Sequence, residues 1–169
     1  PFIGIEPAIK PASLKTKTGK IGILATKGTL ASELFLETSN IHSRGIEVIE
    51  QDGTGIVELI ENERLYSKEM KILLEQYLHP MVKEGIDHLV LGCSHYPYLI
   101  PILNEVLPKG IEIIDSGRAV AKQTLAVLET KELLNIQTKN PDLKFFTNGS
   151  KPLLKSLIGN QYHVEKVDF

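Results

Sequence analysis

The sequence is poor in the groups that most directly announce a function. Its 169 residues hold one cysteine and no tryptophan. One thiol cannot form an internal disulfide, and a four-thiolate zinc site within one chain is excluded with it. There is no basic excess: 19 Lys and Arg stand against 21 Asp and Glu, a formal net charge of −2. A dedicated nucleic-acid surface shows a basic excess or stripe, so no nucleic-acid partner is expected. No apolar run approaches the ~20 residues that span a bilayer, so no membrane partner is expected either. Neither a Gly-x-Gly-x-x-Gly nor a Walker loop occurs. Cys93 and His95 offer two metal ligands at most, and His42, His79, His88 and His163 show no ligand spacing. The first residues, Pro-Phe-Ile-Gly-Ile, do not read as a signal or transit peptide. They lack Met and begin inside what reads as a strand, so the chain is expected to be a piece of something longer.

What is present is an ordinary globular composition, 42% hydrophobic and 24% charged, in a chain long enough to bury roughly 70% of its unfolded surface. Apolar runs alternate with helical patterns. Phe2–Ile5 reads as a short strand and Glu6–Gly19, with its prolines, as an extended connection. Strands are expected at Ile21–Ala25, Ile46–Ile49, His88–Leu91, Ile111–Ile114, Leu143–Phe146 and Tyr162–Val167. Helices are expected at Leu30–His42, from Ile56, over Met70–Val82, after Pro97, over Ala119–Leu128 and over Leu153–Ile158. Pro80 conflicts with its helix, and Gly85 is a natural cap after it. Leu133–Asp142 reads as polar and irregular. The alternation predicts an α/β fold with a mostly parallel sheet covered on both faces. Ligands of such sheets sit beyond the carboxyl ends of the strands. The turns after Ala25, Ile49, Gly92 and Ile114 are therefore the places to search.

The sharpest feature is Leu91-Gly92-Cys93-Ser94-His95-Tyr96-Pro97, where the only thiol follows a buried strand at a strand-to-helix turn. Free N–H groups and partial positive charge at a helix start favour a thiolate and can hold a carboxylate. His95 is close enough in sequence to exchange a proton with the thiol or a substrate. A free cysteine also fits as a small buried apolar residue, and a lone histidine as a structural one; residue type leaves both readings open. Ala25-Thr26-Lys27-Gly28-Thr29 is a second such turn. Its hydroxyls suit a carboxylate or ammonium group, or serve only to cap a helix through Thr29. Asp52-Gly53-Thr54-Gly55 reads as a flexible turn, and Glu58 and Glu61 after it as solvated carboxylates.

These motifs resemble the glutamate racemase family within the wider aspartate/glutamate racemase group. Leu91–Leu99 is similar to that family's second catalytic-cysteine motif, with Ser94 where the family usually has Thr. Ile3-Gly4-Ile5-Glu6-Pro7-Ala8 resembles its crossover into a second lobe, and Thr26–Thr29 its substrate-contacting turn. Ile56–Glu61 resembles the stretch ending in a glutamate that pairs with the catalytic histidine; Gly53-Thr54 replaces the Cys-Pro pair that often precedes it. Ile113–Gly117 resembles the strand end where the chain returns to the first lobe.

The resemblance implies a three-layer αβα lobe over residues 1–115 and a return segment of the first lobe over 116–169. It implies racemisation of glutamate without cofactor or metal, with Cys93 as base on one face of the substrate. His95 would assist proton transfer, Glu61 would orient His95, and Ser94, Thr26 and Thr29 would hold the substrate. The family's other cysteine, in its N-terminal segment, has no counterpart here. A cytoplasmic protein that binds an amino acid is implied, with a homodimer left open. Another amino-acid racemase, for aspartate for example, and a non-catalytic binding domain with a structural cysteine are the alternatives.

Overall fold

The computed structural model describes residues 1–135 and 142–169. The elements are α1 (Ile9–Lys15), β1 (Lys20–Ala25), α2 (Lys27–Leu30), α3 (Glu33–His42), β2 (Glu47–Asp52), α4 (Ile56–Glu61) and α5 (Lys68–Glu84). Then follow β3 (His88–Gly92), a 3₁₀ turn (Tyr96–Leu99), α6 (Ile100–Val106), β4 (Glu112–Ile114), α7 (Gly117–Thr130), β5 (Phe145–Thr147), α8 (Lys151–Ile158) and β6 (Val164–Lys166). The α/β alternation is as expected. The expected irregular stretch Leu133–Asp142 lies mostly outside the described residues.

Two compact units make up the chain, Pro1–Leu133 and Leu134–Phe169. The first holds a four-stranded parallel sheet in the order β2-β1-β3-β4. β1 and β3 are its central strands and are buried almost throughout. This is why Ile21–Ala25 and Leu89–Leu91 read as continuous apolar runs: both faces of a central parallel strand are covered. On one face Ile21, Ile23 and Val90 pack with Ala8, Ile9, Ala12 and Phe35. On the other, Gly22 lies under α5, where an added Cβ would stand 2.8 Å from Ile86 Cδ1 and 3.2 Å from the Met81 sulfur.

From β1 the chain moves outward to β2, then crosses back through α4 and α5 to β3 on the other side of β1. The direction of winding therefore reverses between β1 and β3, and a crevice opens beyond their carboxyl ends. α5, which makes the crossing, is well delimited. Ser67 Oγ accepts from the Met70 amide at its start, and Gly85 ends it at φ 87°, a conformation suited to glycine. Pro80 is inside this helix; it leaves one carbonyl of the preceding turn without its N–H donor.

Two expectations are corrected. Residues 1–8 form no strand; the apolar run has no partner in the described chain, and Phe2 is fully exposed. Part of the connection Glu6–Gly19 is the helix α1. Pro11 lies in its first turn, where the missing N–H is not needed. The last two strands form no part of the main sheet. β5 and β6 pair in parallel in the second unit, where Ser150 caps α8 and the Phe145 and Tyr162 rings stand 5.1 Å apart. Among the described residues no helix is long and apolar enough to cross a membrane.

Candidate active site

Gly92 ends β3 and brings it hard against the end of β1; an added Cβ would lie 2.6 Å from Ala25 Cβ. Cys93 and Thr26 are the first residues beyond these two strand ends, so the topology sets them on the two sides of the crevice. The Tyr96 amide donates to the Cys93 carbonyl at 3.1 Å and closes the turn that holds Cys93, Ser94 and His95. Cys93 is a free, partly exposed thiol, not a fully buried one.

His95 faces two ways. Its Nε2 is 2.9 Å from Glu61 Oε1, and its Nδ1 is 3.9 Å from Cys93 Sγ and 3.5 Å from Ser94 Oγ. A carboxylate accepts only, so a neutral His95 donates Nε2–H to Glu61 and keeps its Nδ1 lone pair towards the thiol. Glu61 is the last residue of α4 and its side chain is 58% exposed. Such an exposed pair fixes orientation more than it adds stability.

Thr26 is the N-cap of α2; its Oγ1 accepts from the Thr29 amide at 3.3 Å and lies 3.0 Å from Thr29 Oγ1. The expected cap, Thr29, is thus the capped residue. A short helix already begins at Lys27, and the residue before it has the extended backbone a cap requires.

Cys93, Ser94, Thr26 and Thr29 line one cavity of about 430 Å³, while the His95–Glu61 pair stands beside it. Glu6, Ser116 and Gly117 line it too, and these were not among the expected site residues. Ser116 Oγ donates to the Glu6 carbonyl, and Thr38 Oγ1 donates to Glu6 Oε2 at 2.8 Å. Ser116 therefore does not cap α7 with its side chain; Asp115 Oδ1 accepts from the Gly117 amide instead. The turn after Ile114 is one of the strand ends beyond which ligands of such sheets sit, and that is the signal the sequence offers for them. Larger surface grooves of about 640 and 900 Å³ run along α5, without Cys93. Among the described residues no three His, Cys, Asp or Glu side chains converge as metal ligands would.

The sequence pattern of the Asp/Glu/Hydantoin racemase family matches residues 1–124. The chain belongs to this family. Within it, the chain is 39% identical over 148 residues to the glutamate racemase of Herpetosiphon aurantiacus, covering 88% of this chain and 58% of that protein. It is 39% identical over 173 residues to the glutamate racemase of Pseudomonas paraeruginosa, covering 99% of this chain and 64% of that one. Among solved structures, Escherichia coli glutamate racemase in complex with L-glutamate and the activator UDP-MurNAc-ala matches at TM-score 0.78 and 30% identity. That match covers 96% of this chain and 63% of the other. This racemase-family chain thus spans less than two thirds of the length of these relatives.

Proposed function

We propose that the chain is the Cys93-bearing part of a cofactor-independent glutamate racemase, a cytoplasmic enzyme that supplies D-glutamate for peptidoglycan. The convergence of Cys93, Ser94, Thr26 and Thr29 on one cavity at the sheet's switch point, with His95 between Cys93 and Glu61, carries the reading. Its glutamate racemase relatives support the choice of substrate.

In this reading His95 Nδ1 takes the proton of the Cys93 thiol, and Glu61 steadies the imidazolium. The thiolate removes the α-proton of glutamate from one face, and the electron pair passes into the α-carboxylate. An acid on the opposite face returns a proton to Cα, which inverts the centre; the reverse reaction exchanges the two roles. The hydroxyls of Ser94, Thr26 and Thr29 hold the substrate and stabilise charge developing on its carboxylate. The chain has one cysteine, so a second thiol comes from outside these 169 residues. Residues 1–115 form the lobe that carries Cys93 and residues 116–169 belong to the other lobe. α7 has apolar residues at Val120, Leu125, Val127 and Leu128, yet none of its residues is buried, which supports a partner for this segment in the longer protein.

The test is circular dichroism of L-glutamate and, in parallel, L-aspartate incubated with a longer protein that includes this chain. Loss of optical activity with glutamate alone is expected. Loss with aspartate alone reassigns the substrate, and no loss with either supports a binding domain with a structural cysteine.

A further inference from the structure

Tyr96 belongs to the cysteine turn but lines no part of the cavity. It is completely buried, and its hydroxyl donates to the Gly53 carbonyl at 3.2 Å. Gly53 is buried too, and its amide donates to the carbonyl of Ala25, the last residue of β1, at 2.8 Å. The hydroxyl sits where a side chain of residue 53 would be: an added Cβ would lie 2.2 Å from it. The end of β1, the loop before α4 and the cysteine turn thus meet at one buried polar contact.

That contact has a counterpart at the other end of α4. The helix starts at Ile56, just after Gly53, and ends at Glu61. Tyr96 holds the loop before it, and the preceding residue, His95, meets Glu61 at its end. Adjacent residues of the cysteine turn therefore grip one short helix at both ends. The two grips are unequal. Glu61 is 58% exposed, and an exposed pair contributes little to holding an element in place. Removing the buried hydroxyl leaves the Gly53 carbonyl desolvated without a donor.

We propose that Tyr96 is a positioning residue for the site: its bond to Gly53 sets α4 against the cysteine turn, so that Glu61 stands on His95 and His95 on Cys93. The proposal rests on reading Cys93 and His95 as an acid–base pair. Burial, and then the charges of Cys93, Asp52, Tyr77 and Glu58, push the Tyr96 phenol well above the usual tyrosine range. The phenol is consequently a donor throughout the pH range in which thiol and imidazole titrate.

Cys93 is the only thiol, so the alkylation rate of the 169-residue chain reads that residue alone. The rate is measured from pH 5 to pH 9 for the wild type and for Tyr96→Phe, Glu61→Gln and Tyr77→Phe. Tyr77 is the control, because its hydroxyl donates to the same loop at the Thr54 carbonyl, 2.7 Å away. Circular dichroism checks the fold of each variant. Tyr96→Phe is expected to slow alkylation at pH 7 by about fivefold, the scale of one lost hydrogen bond. It should also displace the pH profile in the direction Glu61→Gln does, with Tyr77→Phe unchanged. If Tyr96→Phe does not fold, Gly53→Ala, which keeps the ring but crowds the hydroxyl, is read by the same criterion. A displaced Glu61→Gln profile with a wild-type profile for Tyr96→Phe overturns the proposal and leaves the Cys93–His95 pair standing. Unchanged profiles for both overturn the proposal and the pair together.

Discussion

Cys93 acquires its character from position. The residue is partly exposed at the end of a buried strand and its sulfur lies 3.9 Å from His95 Nδ1, whereas most free cysteines are small buried hydrophobes. The thiol is therefore expected to react with iodoacetamide at pH 7 faster than free cysteine, and His95→Gln should remove the excess. A wild-type rate at or below that of free cysteine would mark it as inert. The turn that carries it was readable in the sequence, because a buried run followed by Cys-Ser-His and Pro97 is a local pattern. The pairing of His95 with Glu61, across 34 positions, has no such local pattern and was expected only from the family resemblance. Glu6 and Ser116 were not readable. They meet across 110 positions of sequence, and neither has a local pattern that points to the other. Thr26 and Thr29 line the same cavity, but the cap is Thr26 and not Thr29. The difference arises because the helix begins at Lys27, three residues before the expected Leu30.

Among the elements, β3 is fixed at both ends. At its carboxyl end Gly92 leaves no space against Ala25, so Gly92→Ala should cost about 1–3 kcal/mol in a thermal or urea melt. At its amino end Asp87 gathers four donors. Its Oδ1 is 2.7 Å from both Thr16 Oγ1 and His88 Nδ1, and its Oδ2 accepts from the amides of Lys17, at 2.6 Å, and Thr18, at 3.1 Å. Burial alone would push this carboxyl up, but bonds from His88, Thr16 and the Lys17 and Thr18 amides hold it well below the usual carboxylate range. A folded-state pKa below the unfolded value stabilises the fold above about pH 4 and loses that contribution as pH falls further. Asp87→Asn should therefore cost about 2 kcal/mol at pH 7, and the gap to wild type should close below about pH 4. A gap constant from pH 7 to pH 2.5 in urea melts would contradict the assignment. The central strands and the long helix α5 were readable because their burial is continuous or strongly periodic. α1 was hidden by prolines, whose cost vanishes in a first turn. The alternation of strands and helices does not by itself show that the strands divide between two sheets, because it records which strands succeed each other, not which ones pair.

On the scale of the whole molecule, a single thiol serves one face of a substrate. It can remove and return a proton there, but inversion requires a second acid on the other face. The 169-residue chain alone is therefore expected to form no D-glutamate from L-glutamate. Comparable production by chain and longer protein would move the second acid onto a group of this chain or of a second copy. Whether Cys93 carries the proton on its face is decided in the longer protein. Circular dichroism of glutamate, started from each enantiomer, is followed with the wild type and with Cys93→Ser. The wild type is expected to bring both to the racemate and the variant to turn over neither, since each direction uses both faces. A Cys93→Ser protein that racemises glutamate within tenfold of the wild-type rate would contradict that role for Cys93.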